Sequence, residues 1–79
     1  ERSALIELAT ATNMSGWVHS HRWLSDASIC DWELVGCDGS GRVKLLTLDF
    51  NNLVGTLPES LGQLTRLEDL DLEFNSLTG

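Results

Sequence analysis

From Val43 onward the chain repeats itself, and no other feature restricts its fold as much. Val43-x-x-Leu46-x-Leu48-x-x-Asn51-x-Leu53 returns as Leu67-x-x-Leu70-x-Leu72-x-x-Asn75-x-Leu77, an offset of 24 residues. Phe50/Phe74 and Gly55/Gly79 are identical pairs at the same offset. Leu46 and Leu48 are two residues apart, so in a strand both point to one side. Leu45, Thr47 and Asp49 then point to the other, as do Asp69, Asp71 and Glu73 in the second copy. An asparagine placed where the chain leaves the strand can satisfy backbone groups of the turn it occupies. One such unit cannot bury its own leucines, so the copies must stack.

Size and charge narrow the reading further. Seventy-nine residues make at most one small domain, near the lower limit for a sufficient core. A 42% hydrophobic content, dominated by leucine, fits a folded chain. The net charge of −7, with no Lys/Arg cluster, argues against nucleic acid and against an anionic membrane surface. No apolar run approaches the roughly 20 residues of a membrane span, so direct insertion by this segment is not expected. The chain opens on Glu1 rather than Met and stops inside its second copy, and it reads as a segment of a longer protein.

The residues ahead of the repeats read as a cap. Ser3 is a candidate helix N-cap, with Ala4, Leu5, Leu8 and Ala9 on one face. The helix should run to about Thr12 and fail at Asn13–Gly16. Laid over the open end of the stack, it would cover the first copy's leucines. Asn13-Met14-Ser15 is an N-glycosylation acceptor pattern, or simply a polar helix stop. Trp17 and Trp23, with Leu24 beside the second, are expected to pack beneath the helix. His19 and His21 fit a solvated loop. Cys30 and Cys37 close a short loop around Trp32, either as a disulfide or, with His19 and His21, around zinc. Structural zinc pairs usually leave about two to four residues between cysteines, and here there are six. Asp38–Gly41 reads as a turn, after which Arg42 starts the first repeat strand. Beyond Pro58, Glu59 to Leu64 should make a short helical turn with Leu61 and Leu64 inward.

These features together resemble the plant-type leucine-rich repeat family over nearly the whole chain. The 24-residue repeat with Gly55-x-Leu57-Pro58 is similar to that family's L-x-G-x-I/L-P segment. The Ala4-Leu5 helix, the Trp17…Trp23-Leu24 pair and the Cys-x-Trp-x₄-Cys loop before Arg42-Val43 are similar to its N-terminal cap. The cap's spacing is nearer to algal and diatom versions than to flowering-plant receptors. One departure stands out. The family usually has Cys-x-Trp-x-Gly-Val-x-Cys, whereas here Leu34 replaces that Gly and Gly36 follows two residues on, so the loop's path is open to change.

The resemblance implies an α/β solenoid, with a cap over residues 1–42 and repeats over 43–79 whose parallel sheet lines a concave side. It implies a Cys30–Cys37 disulfide, an extracellular or cell-surface location, and recognition of a protein or peptide without catalysis or cofactor. The residues agree on the last point: they contain no Ser/His/Asp set, no phosphate-binding glycine loop and no carboxylate pair in an apolar setting. The ligand-facing residues would be Leu45, Thr47, Asp49, Asp69, Asp71 and Glu73, with Phe50 and Phe74 at the rim and a basic partner favoured. The competing readings are a purely structural solenoid cap, or the regulatory ectodomain of a receptor-like kinase. An open repeat edge would also favour self-association.

Overall fold

Apolar residues at positions 4, 5, 8 and 9 predict a one-faced helix, and Arg2–Ala11 forms it as α1, with Ala4, Leu5, Leu8 and Ala9 all at 0% exposure. The computed structural model describes residues 1–78; Gly79, the repeat partner of Gly55, lies outside the described residues. Helix α1 starts earlier than expected. Its N-cap is Glu1 rather than Ser3, which lies exposed in the first turn. The reason is tertiary: Oε1 of Glu1 accepts the Val43 N–H at 2.8 Å, tying the helix start to the first repeat strand. At the other end, the Thr12 N–H and hydroxyl both donate to the Leu8 carbonyl, at 3.1 and 2.6 Å. Asn13 then takes φ 55°, a left-handed stop that asparagine tolerates better than most residues.

Beneath the helix the three tryptophans pack as a chain. Trp17 and Trp23 meet edge-on with centroids 4.8 Å apart, and Trp23 and Trp32 lie 5.1 Å apart. Each buried indole N–H donates to a backbone carbonyl: Trp17 to Thr12, Trp23 to Glu33 and Trp32 to Ala27. These bonds remove the penalty for burying a donor without a partner. The Arg2 guanidinium covers Trp32 at 5.2 Å from its centroid and donates to the Ser25 and Ala27 carbonyls. Leu24 departs from expectation. It is 48% exposed at φ 64°, because the turn after Trp23 carries it outward.

Cys30 and Cys37 are bonded to each other, with Cα atoms 5.6 Å apart, so their sulfurs are not free to ligate zinc. Within the loop, Leu34 sits at φ 72°, the left-handed region that suits glycine. The chain thus keeps a glycine-like turn at the position where the related pattern has glycine, using a leucine that packs partly against the core. In the chain-entropy account, closing so short a loop contributes about 2.5 kcal/mol. A Cys30→Ser/Cys37→Ser protein should lose roughly that much in urea titration, and the parent should titrate no free thiol under denaturant. Two free thiols in the natively purified protein would contradict the disulfide.

Among the described residues, five strands form two small sheets. Strand β1, Val35–Cys37, pairs antiparallel with β2, Val43–Thr47, through the turn at Asp38–Gly41. Asp38 braces that turn: its Oδ1 accepts the Ser40 hydroxyl and the Ser40 and Arg42 N–H groups. Those bonds, the Ser40 hydroxyl foremost, hold the Asp38 carboxyl below the usual carboxylate range. Strand β1 was not anticipated from the repeat pattern. Strand β2 continues in parallel to β4, Asp69–Asp71, in the register Leu45↔Asp69, Leu46↔Leu70 and Thr47↔Asp71. Separately, β3, Val54–Thr56, runs parallel to β5, Ser76–Thr78. A 3₁₀ turn at Glu59–Gln63 follows Pro58 and brings Leu61 and Leu64 against the core.

The helix end locks onto β3. The Val54 N–H donates to the Thr12 carbonyl at 3.2 Å. Gly55, at φ 123°, lies so close to the Ala11 carbonyl that no side chain would fit. Coverage differs between the copies as stacking requires. Val43, Leu46, Leu48 and Leu53 are at 0% exposure, whereas Leu70 of the second copy is 39% exposed.

Candidate ligand-facing surface

Asparagines at the strand ends set the frame for this surface. Asn75 Oδ1 accepts the Asn51 and Leu53 N–H groups at 3.1 and 2.9 Å, and its Nδ2 donates to the Leu48 and Leu72 carbonyls. Asn51 repeats the arrangement one layer earlier, but with the cap. Its Oδ1 accepts the His19 N–H at 2.6 Å and its Nδ2 donates to the His19 carbonyl at 3.0 Å. The His19 backbone therefore stands where a preceding repeat would otherwise end the ladder. Its ring is exposed, and its Nδ1 lies 3.4 Å from Glu33 Oε2.

With the strand ends pinned, alternation decides the rest. Leu46 and Leu48 turn inward, while Thr47, Asp69, Asp71 and Glu73 are exposed and Asp49 is half-buried. The ladder extends past β2, since the Leu48 and Phe50 N–H groups donate to the Asp71 and Glu73 carbonyls at 2.9 and 3.0 Å. Neighbouring strands lie about 4.8 Å apart, so Asp49, Asp69, Asp71 and Glu73 share one small face. None of them belongs to an ion pair among the described residues. Phe50 and Phe74 stack beside them with centroids 4.2 Å apart and planes 8° from parallel. Both rings stay open, at 61% and 67% exposure, on residues with φ 54° and 58°.

Leu45, like Asp49, is not fully open on this face. It is half-buried, because β1 lies alongside and Gly36 stands opposite. A Cβ on Gly36 would come within 3.1 Å of the Leu45 side chain, so the absent side chain is what lets Leu45 fold down. The ligand-facing set expected from sequence is therefore open at Thr47, Asp69, Asp71 and Glu73 but half-buried at Asp49 and at Leu45, where β1 lies alongside. Gly36 carried no signal by itself; its role needed the pairing partner. Asn13 lies off this face, exposed between α1 and the 3₁₀ turn Met14–Gly16.

No protein-family model matches the chain. Among curated proteins it is 44% identical over 76 residues to phytosulfokine receptor 2 of Arabidopsis thaliana, covering 92% of this chain and 7% of that protein. It is 31% identical over 101 residues to the leucine-rich repeat receptor-like serine/threonine-protein kinase RGI4 of the same plant, covering 96% of this chain and 9% of that one. The chain thus spans less than a tenth of the curated relatives it matches, receptor kinases and receptor-like proteins from flowering plants. In fold it is similar to the crystal structure of PEPR1-AtPEP1, with TM-score 0.75 and 24% identity over 96% of this chain and 11% of the other. It is also similar to a plant ice-binding protein, with TM-score 0.68 and 32% identity over 84% of this chain and 21% of the other.

Proposed function

The chain belongs to the plant-type leucine-rich repeat family and to a cell-surface ectodomain, and from that premise we propose that it forms the cap and first repeats of that ectodomain and serves non-catalytic recognition of a protein or peptide. In this reading residues 1–42 seal one end of an α/β solenoid and residues 43–79 begin its repeats. The parallel pair β2–β4 lies on the concave side. The observation that carries it is the exposed face on which Asp49, Asp69, Asp71 and Glu73 crowd together without ion pairs, beside the stacked Phe50 and Phe74. Like charges held on adjacent strands repel, and a basic ligand group would relieve that repulsion while the rings supply apolar contact.

Reversing the charge with Asp69→Lys and Asp71→Lys in the full-length protein tests this reading. Affinity for its natural ligand should fall at least about tenfold, roughly 1.4 kcal/mol, and association should become less sensitive to salt. Unchanged affinity and salt dependence would mean that the face is a solvated surface and that binding lies elsewhere on the parent protein.

A structural reading has its own support. Asn51 ends its ladder on the His19 backbone and the apolar face of α1 shares a core with Leu46, Leu48 and Leu53, which supports a segment that seals the stack whether or not it touches a ligand. As part of a receptor-like kinase, the same segment would belong to the regulatory ectodomain rather than to the catalytic part.

A further inference from the structure

The chain has four asparagines, and three of them spend the side-chain amide nitrogen on the fold. Nδ2 of Asn51 donates to the His19 carbonyl, that of Asn52 to Gly16, and that of Asn75 to Leu48, Leu72 and Glu73. Asn13 differs. Its Oδ1 accepts the Ser15 hydroxyl at 3.0 Å, while its Nδ2 makes no hydrogen bond among the described residues. Asn13 and Ser15 are both exposed, and Met14 between them packs against the core. The intervening side chain thus anchors the turn, and the acceptor and its hydroxyl face solvent. No other N-x-S/T pattern occurs in the 79 residues.

We propose that Asn13 carries an N-linked glycan. The proposal rests on the cell-surface placement above and not on the ligand-facing surface. Sequence pattern alone leaves occupancy open; what the fold adds is room. Asn13 has φ 55° just where the helix stops, is exposed, and makes no side-chain capping bond to a backbone N–H of the 3₁₀ turn that follows. A sugar on Nδ2 would displace no hydrogen bond and bury no core residue, whereas on Asn51 or Asn75 it would break the ladder.

The donor is a lipid-linked oligosaccharide diphosphate of the secretory pathway, acted on by that pathway's transferase. Nδ2 forms a bond to the anomeric carbon of the donor. The bond from that carbon to the diphosphate oxygen breaks, the lipid diphosphate leaves with its electron pair, and one Nδ2 proton passes to the transferase. No oxidation or reduction is involved. Asn13 follows Thr12, whose carbonyl bonds to Val54 of β3 rather than to β2 or β4, so the glycan would leave the acidic face open.

The test uses the full-length chain made in a plant secretory host, with membrane and secreted fractions pooled so that poor secretion does not hide the result. Trypsin releases residues 3–22, which hold Asn13, and an amidase that removes N-glycans converts a linked Asn13 to Asp. Mass spectrometry should find Asp at position 13 in most molecules only after the amidase. Ser15→Ala should abolish the conversion and Ser15→Thr should keep it. Unmodified Asn13 in the parent, or conversion that persists in Ser15→Ala, would overturn the proposal. Ligand binding that still responds to the Asp69/Asp71 reversal in that case would leave the recognition reading intact.

Discussion

A Gly55→Ala protein is expected to unfold at a much lower urea midpoint than the parent. Gly55 is held at φ 123°, outside the region open to residues with a Cβ. That strain alone costs on the order of 1–3 kcal/mol. The added methyl would also meet the Ala11 carbonyl, a backbone group that cannot swing aside like a flexible side chain. Relief would require α1 to lift from β3, breaking the Val54–Thr12 hydrogen bond and uncovering Leu5 and Leu8. Gly39→Ala is the matched control, since a Cβ there meets nothing within 4 Å. It should shift stability by no more than about 0.5 kcal/mol. Equal midpoints for the two variants would mean that the helix does not dock on Gly55.

Trp32→Ala should cost more still, about 3–5 kcal/mol. Trp32 is the largest fully buried side chain, at 1% exposure, and joins three parts of the cap. It packs on Trp23, lies under Arg2, and sits within the loop closed by Cys30 and Cys37. Its N–H bond to Ala27 ties in the segment that Arg2 also holds. Trp32→Phe would keep ring packing but lose that bond, so its loss should be smaller. Denaturant titration followed by the fluorescence of the remaining tryptophans reads both variants. A loss below about 1 kcal/mol for Trp32→Ala would show that the cap's order does not depend on this ring.

The route from Gly36 to Leu45 shows why the ligand-facing set needed a structure. Alternation along β2 puts Leu45 on the same side as Thr47, and the β2–β4 register pairs them with Asp69 and Asp71. Its burial is decided by β1, which reaches it through an antiparallel pairing that no repeat spacing announces. Leu34 makes the converse point. A residue unlike the family's glycine still adopts a left-handed φ of 72°, so the surrounding loop governs the backbone there more than the local residue preference does.

By itself, the sequence determined what depends on spacing along the chain. A 24-residue period with paired leucines two apart dictates parallel strands with one apolar face, and β2 and β4 pair in the register it implies. The same period puts Phe50 over Phe74 and stacks Asn75 beneath Asn51. The apolar face of α1, its stop at Asn13 and the burial of Trp17 and Trp23 were also legible, because periodicity and turn chemistry act over a few residues. Only the tertiary structure decided the joints: Glu1 on Val43, Ala11 against Gly55, the His19 backbone closing the ladder at Asn51, and β3 on β5. Those contacts link residues more than 20 positions apart, and each exists because a backbone group left without a partner by one element is satisfied or covered by another. No local pattern encodes which distant group will arrive there; the packing of the cap on the first repeat does.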